Sequence, residues 1–176
     1  EKQHKYLEGT GSMVLDRDNR VAYACISPRT DKDLLQKFCD EMNYRAVPFH
    51  ARDKNGKAIY HTNVMMCVSD RFVVICLESI SDSKEKATVV QTIENSSKEI
   101  IPINLEQMNH FAGNMLQVKN ADGQHFLVMS SQAFHSLRKE QLKKLEQYNE
   151  IIHAPLDSIE KNGGGSARCM IAEVFM

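Results

Sequence analysis

The sequence runs Asn63-Val64-Met65-Met66-Cys67-Val68, then Ser69-Asp70, then through the apolar stretch 72–77. Two short apolar runs on either side of a polar turn are typical of a β-hairpin. A helical pattern over residues 82–96 and a short apolar run over 100–103 follow the hairpin. This part of the chain therefore predicts one β-β-α-β unit.

The same pattern occurs once before this stretch and once after it. Each copy has two apolar runs around a turn rich in Asp, Asn or Gly, then a helical pattern, then a third run, at 12–26, 31–42 and 45–49 and again at 114–129, 134–148 and 150–154. Ile26, Leu77 and Val128 lie 51 residues apart in succession. We predict three repeats, at about residues 12–50, 62–103 and 113–154, and a last strand at 170–175.

Repeats of about fifty residues favour the radial or solenoid stacking of one supersecondary unit. An ordinary α+β fold in which the periodicity is accidental is the alternative. At 176 residues the chain is long enough for a single domain with a substantial core.

The composition excludes several classes of function. The chain has 42% hydrophobic and 26% charged residues, and a net charge of −1 gives no electrostatic case for nucleic acid binding. Its longest apolar run is too short to span a membrane. The five cysteines include no Cys-x-x-Cys pair, and the histidines lack ligand spacing, so we predict neither a disulfide framework nor a metal site. A reducing, cytoplasmic location is expected.

Residues of catalytic type stand at matching places in the repeats. Glu8, in Leu7-Glu8-Gly9-Thr10-Gly11-Ser12, just precedes the first hairpin, and His61, in His61-Thr62-Asn63, just precedes the second. Cys169 follows three glycines and Arg168, just before the predicted last strand, and Asn114 just precedes the third hairpin. Equivalent entry points of a ring converge on its axis. We predict that Cys169, His61 and Glu8 meet there as nucleophile, proton shuttle and orienting carboxylate.

Each of these residues also has a plainer interpretation. The glycine-rich loop can be a turn into a final strand, and Glu8 can be a solvated loop residue. His61 can be a surface or capping histidine. The shared position at the start of each unit favours the catalytic interpretation.

Four strings carry a resemblance to a known family: LEGTGS at residues 7–12, HTNVMM at 61–66, FAGNML at 111–116 and NGGGSARCM at 162–170. Together they resemble the guanidino-group-modifying, or amidinotransferase, superfamily, and most of all the bacterial citrulline-utilisation hydrolases. The resemblance implies the pentein fold, an α/β propeller of five β-β-α-β units around a central channel. About three of the five units would be present, and the missing N-terminal part of the ring, with a further carboxylate, would precede Glu1.

The resemblance also implies roles for individual residues. Cys169 would attack the carbon of a guanidino or ureido group, and His61 would protonate the leaving amine and then activate water. Glu8 would hold His61 and pair with the substrate cation. Arg29, in Ser27-Pro28-Arg29-Thr30-Asp31, would clamp the substrate α-carboxylate, a task that suits a bidentate guanidinium; capping or solvating the following helix is the alternative. Asn114 would line the channel, and no metal or organic cofactor is implied.

One departure concerns the substrate. Arginine deiminases of the superfamily carry an aspartate two residues after the histidine, where this chain has Asn63. The amide favours a branch without that aspartate, or a neutral ureido substrate such as citrulline. The alternatives are dimethylarginine dimethylaminohydrolase activity, amidinotransferase activity, or a non-enzymatic pentein that binds a macromolecule. The expected partners are an arginine- or citrulline-like small molecule, the missing part of the ring, or a second copy of the chain.

Overall fold

Three β-β-α-β units follow one another in the computed structural model, which describes residues 4–172. Each unit forms its own three-stranded sheet, whose middle strand is antiparallel to the first strand and parallel to the third. The strands are β1 Val14–Asp16, β2 Val21–Cys25, β3 Arg45–Phe49, β4 Met66–Val68, β5 Phe72–Ile75, β6 Glu99–Pro102, β7 Leu116–Lys119, β8 His125–Ser130 and β9 Glu150–Ala154. All nine lie within the three predicted repeats.

Helices connect the middle and outer strands and precede or follow the units. The α-helices are α1 Gly9–Ser12, α2 Lys32–Met42, α3 Ser83–Asn95, α4 Leu105–Asn109, α5 Ser131–Ser136, α6 Lys139–Glu146 and α7 Asp157–Gly163, and 3₁₀ helices cover Thr62–Val64, Leu77–Ser79 and Ala167–Met170. Between residues 4 and 172, none of these helices has the length and apolar character needed to cross a membrane.

The middle strands form the centre of the core. Every residue of β2 and β5 is buried, as expected of strands that are covered on both faces. In the second unit Val74 pairs with Cys67 on one side and with Ile101 on the other. The apolar run that predicted this hairpin is therefore the most deeply buried part of the unit.

Two helices begin where the sequence predicts them. Asp31 caps α2 by accepting hydrogen bonds from the backbone N–H groups of Asp33 and Leu34, and Asp82 caps α3 in the same way. Helix α2 ends at Met42, and the following residue, Asn43, adopts a left-handed conformation with φ +56°. The helical predictions for 31–42 and 82–96 are confirmed to within one residue at each end.

The third helical prediction, 134–148, is wrong in detail because two helices fill this region. Helix α5 starts earlier, since the Ser130 hydroxyl caps it through the N–H of Ala133, and Leu137 returns the backbone to an extended conformation. The Gln141 side chain then accepts a hydrogen bond from the N–H of Arg138 and starts α6. Side-chain capping at both points thus divides the predicted helix.

The predicted last strand, 170–175, is not seen in its described part. Met170 ends a 3₁₀ helix that the N–H of Cys169 closes by bonding to the carbonyl of Ser166. Ile171 and Ala172 belong to no strand, and residues 173–175 lie outside the described residues. The tight turn around Cys169 is the reason why strand geometry is absent at Met170.

The first strands of the units lie side by side, since β1 contacts β4 and β4 contacts β7. A cavity of about 760 Å³ lies beside them, and Asp16, Asp70 and Gln117 are among its lining residues. Buried polar groups join the units here. The Lys98 ammonium donates to the carbonyls of Ser69 and Asp70 and lies 3.6 Å from the Asp16 carboxylate, while Gln117 Nε2 donates to Asp70 Oδ1 at 2.7 Å.

Helices of the second and third units also contact the preceding unit, since α3 contacts β3 and Gln141 of α6 donates to the carbonyl of Pro102. Helix α3 of the second unit covers β3 of the first. In contrast, the outer strand β9 of the third unit is mostly exposed, and 44% of Ile152 is accessible to solvent. This face therefore has the position that a following unit would cover.

Candidate active site

Glu8 lies in the turn that enters α1. Its backbone N–H donates to the hydroxyl of Ser12 at 2.8 Å, and that hydroxyl donates to the carbonyl of Arg29 at 2.8 Å. Ser12 is fully buried. The Gly-Thr-Gly-Ser string thus fixes the Glu8 loop to the segment that carries Arg29.

His61 and Glu8 are in direct contact. The imidazole Nε2 lies 2.7 Å from Glu8 Oε2. A Cβ atom at Gly11 would lie 2.7 Å from the same imidazole ring, so any side chain at that position would displace it. The second glycine of the Glu8 loop is therefore required by the close approach of His61.

Thr62, the next residue, anchors His61 to the first unit. Its hydroxyl donates to the carbonyl of Ser12 at 2.6 Å and accepts from the N–H of Cys25 at 2.8 Å. Both bonds are buried, so they fix the loop strongly. The predicted proton shuttle, His61, is therefore directly followed in the chain by the residue that anchors its loop, Thr62.

Arg29 belongs to the same cluster. Its Nη1 lies 3.6 Å from Glu8 Oε2, and about half of its side chain is exposed. Asp31, rather than Arg29, caps α2, so the capping role that was the alternative for Arg29 is wrong. The guanidinium remains accessible to a ligand in solvent.

Cys169 lies in the 3₁₀ helix Ala167–Met170 and is exposed. The four other cysteines of the chain are buried. Two side-chain amides face its sulfur: Asn114 Nδ2 lies 3.3 Å from Sγ and Asn63 Nδ2 lies 3.8 Å from it. The thiol is therefore open to solvent on one side and faces hydrogen-bond donors on the other.

Asn114 connects the two loops that meet at this sulfur. Its Nδ2 also donates to the carbonyl of Asn63 at 2.9 Å, and its Oδ1 accepts from the N–H of Arg168 at 3.0 Å. The side chain is 1% exposed. A Cβ atom at Gly113 would lie 2.5 Å from the carbonyl oxygen of Val64, so the preceding glycine allows this close approach.

The structure thus brings the predicted residues into two groups. Glu8, His61 and Arg29 form the first group, and Cys169, Asn63 and Asn114 form the second. Tyr60 joins the groups, because its ring lies 4.9 Å from the His61 ring and its hydroxyl donates to the carbonyl of Gly164 at 2.8 Å. Among the described residues, no three metal-ligating side chains cluster.

The family model for eukaryotic N,N dimethylarginine dimethylhydrolase matches residues 1–176. The chain belongs to this family. A sequence search against curated proteins gave no significant match. The predicted superfamily of guanidino-group-modifying proteins is thereby confirmed, whereas the finer resemblance to citrulline-utilisation hydrolases stays a prediction. The dimethylarginine branch is one of the alternatives that the sequence left open.

Solved structures agree with this family membership at the level of the fold. The N-terminal domain of ArgZ, an arginine dihydrolase of cyanobacteria, shares 20% identity with a TM-score of 0.73 over 92% of this chain and 54% of its own. The amidinotransferase SxtG of Microseira wollei shares 14% identity with a TM-score of 0.62 over 95% of this chain and 45% of its own. The pentein-type α/β propeller is confirmed by these similarities.

A third similar structure is the agmatine deiminase of C. jejuni, which shares 12% identity with a TM-score of 0.55 over 94% of this chain and 57% of its own. The chain spans about half the length of each of these proteins or domains. The similarity therefore covers three β-β-α-β units of a larger fold in the relatives.

Two residues of this family member were missed by the sequence analysis. Tyr60 directly precedes His61, and an aromatic side chain beside a predicted catalytic residue was the only signal. Glu160 in α7 is 7% exposed and accepts a hydrogen bond from the Ser166 hydroxyl at 2.6 Å. A buried carboxylate at the base of the cysteine loop has no signature in the sequence.

Proposed function

We propose that the protein is a cysteine-dependent hydrolase that acts on the guanidino or ureido carbon of an arginine-like amino acid. The observation that carries this proposal is the contact set around Cys169. An exposed thiol faces two side-chain amides, and the His61–Glu8 pair lies across Tyr60 from it. Nucleophile, proton carrier and orienting carboxylate are the groups that covalent hydrolysis requires.

In the first half of the reaction, the Cys169 thiolate attacks the central carbon of the guanidino group and forms a C–S bond. Collapse of the tetrahedral adduct breaks the C–N bond to the leaving amine, which receives a proton from the His61 imidazolium. In the second half, His61 takes a proton from water, the hydroxide attacks the same carbon, and the C–S bond breaks. The products are the amine and a ureido amino acid, and the thiolate is restored.

The side-chain amides of Asn63 and Asn114 support both halves of the reaction, because neutral N–H donors stabilise a thiolate by hydrogen bonding without protonating it. Glu8 holds the His61 ring in place through the contact between its Oε2 and the imidazole Nε2. A relative, the N-terminal domain of ArgZ, is known in a form covalently bound to a reaction intermediate. That precedent supports a covalent route here.

Arginine-type compounds are the first substrates to test. The family description names N,N dimethylarginine, and structures of ArgZ hold its substrate and those of another relative hold L-arginine. Arg29 suits the α-carboxylate because its guanidinium is exposed and is held above the Tyr60 ring at 5.2 Å. Because the side chain of Asn63 is a neutral amide, a neutral ureido substrate such as citrulline should be tested as well.

The test uses covalent labelling and turnover together. A haloacetamidine, which carries a guanidine-like group, should label Cys169 faster than a neutral haloacetamide does. Cys169→Ser should abolish both labelling and turnover on N,N-dimethylarginine, arginine and citrulline, because a serine hydroxyl has no comparable anionic population. Cys39→Ser is the control and should behave like the wild type. Full turnover by Cys169→Ser would contradict the proposal.

A further inference from the structure

Tyr60 makes contact with both halves of the site. Its hydroxyl donates to the carbonyl of Gly164, which is 104 residues further along the chain and belongs to the glycine loop before Cys169. Its own carbonyl accepts a hydrogen bond from the Ser27 hydroxyl at 2.8 Å. The residue is thus fixed at its backbone to the first unit and at its side-chain tip to the cysteine loop.

The ring of the same tyrosine supports two charged or polar partners. The Arg29 guanidinium lies 5.2 Å from the ring centre, a distance at which a cation is attracted to an aromatic face. The His61 ring lies 4.9 Å away at a tilt of 54°. Ring and hydroxyl therefore have separable contacts: the ring with Arg29 and His61, the hydroxyl with Gly164.

The hydroxyl remains a donor over the working pH range. Burial raises the pKa of Tyr60 above its ordinary value, and the charge of nearby Cys169 raises it further, while Arg29 acts in the opposite direction. A protonated phenol donates one hydrogen bond, and the Gly164 carbonyl receives it.

The remainder of the cysteine loop is fixed independently. Ser166, which is fully buried, donates its hydroxyl proton to Glu160 Oε1 in α7, and the N–H of Arg168 binds Asn114. Gly164 lies before both of these anchors. The carbonyl of Gly164 is held by the Tyr60 hydroxyl.

We propose that Tyr60 is a positioning residue that couples the Arg29 clamp for the substrate α-carboxylate to the loop that carries Cys169. This inference rests on the proposed function. The hydroxyl sets the place of the nucleophile, and the ring sets the place of the clamp. Binding of the carboxylate and attack by the thiolate then depend on one side chain.

The ring and the hydroxyl of Tyr60 are expected to have different kinetic effects in the native enzyme. Tyr60→Phe keeps the ring and removes the tether to Gly164, so kcat should fall about tenfold while KM stays within about twofold. Tyr60→Leu also removes the support of Arg29, so KM should rise by a further factor of about five to ten. Tyr148→Phe, which removes a hydroxyl bonded to Glu99 rather than to the cysteine loop, is the matched control and should leave both constants unchanged.

A second measurement does not depend on turnover. Amide hydrogen exchange in residues 163–169 should be faster in Tyr60→Phe than in the wild type, and unchanged in Tyr148→Phe. Unchanged exchange, or an unchanged kcat in an active Tyr60→Phe enzyme, overturns the coupling. Faster exchange in a protein that turns over none of the substrates supports the tether and rejects the proposed function instead.

Discussion

The side-chain amide of Asn114 lies 3.3 Å from the sulfur of Cys169, and the two residues come from different parts of the ring. The same side chain binds the carbonyl of Asn63 and the N–H of Arg168. Asn114 thus fixes the separation between the loop that carries His61 and the loop that carries Cys169. Asn114 was predicted to line the channel, and it contacts both loops.

Asn114→Ala should lower kcat about hundredfold, because the thiolate loses its nearer donor and the cysteine loop loses its anchor. The variant also leaves a carbonyl and an N–H unpaired, which should reduce the free energy of unfolding by about 1–3 kcal/mol. Asn149→Ala is the control, since Asn149 is also buried and hydrogen-bonded but lies away from Cys169. Equal loss of kcat in the two variants would show that general destabilisation, rather than the sulfur contact, is responsible.

Gly11→Ala should impair turnover with little loss of folded protein. The added methyl group would lie 2.7 Å from the His61 ring, so the ring must move away from Glu8. Gly163→Ala is the matched control, because its Cβ would meet only Ile159 at 3.9 Å. Steady-state kinetics and circular dichroism on both variants make the comparison, and a fully active Gly11→Ala would argue against His61 as the proton carrier.

Asn63→Asp should shift substrate preference toward cationic guanidino compounds. A carboxylate beside the reacting carbon attracts a guanidinium, whereas an amide does not distinguish it from a ureido group. The ratio of kcat/KM for arginine to that for citrulline should rise by about tenfold. If the wild type already prefers arginine strongly and the ratio does not change in the variant, Asn63 has no part in reading substrate charge.

Stability should fall at alkaline pH because of a buried thiol. Burial raises the pKa of Cys25 to about 11, above the 9.0 of an unperturbed thiol, so the folded chain keeps a proton that the unfolded chain loses. The contribution of this thiol to the free energy of unfolding is therefore fully present below pH 9. It decreases by about 2 kcal/mol as the pH rises toward 11. Urea unfolding between pH 8 and 11 measures the slope, and Cys25→Ala should reduce it.

The exposed face of β9 should cause association when residues 1–176 are produced alone. Ile152 is 44% exposed there, whereas α3 covers the equivalent strand of the first unit. Light scattering should show a species larger than a monomer, and Ile152→Lys should reduce its size while Ile159→Lys, on α7, should not. A monomer with normal turnover would contradict the expectation that further units or a second copy complete the ring.

The hairpins and the helices α2 and α3 could be predicted because their signals are local. Asp31 and Asp82 cap helices through backbone groups two and three residues away, and polar turns separate the short apolar runs. The break between α5 and α6 could not be found in this way. It depends on Gln141, which also binds Gln107 and the carbonyl of Pro102 in the preceding unit.

The same distinction, between local signals and contacts that form only in the folded chain, applies to the candidate site. Glu8, His61 and Cys169 were predicted because each holds an equivalent place relative to a repeat, and the structure places Glu8 against His61. Tyr60 and Glu160 were missed, because their contacts with Gly164 and Ser166 exist only once the cysteine loop has folded back. Residues whose role is to hold others have no pattern of their own.

Gly11 and Gly113 stand behind the site, one against the His61 ring and the other against the backbone of Val64. Neither position has room for a single methyl group. A larger residue at Gly11 or Gly113 would therefore move the reacting groups. In contrast, the side chains of Arg29 and Glu8 are about half exposed to solvent. Divergence in substrate choice among proteins that keep this arrangement should therefore accumulate around Arg29, and engineering for a new substrate should start there while Glu8 is kept.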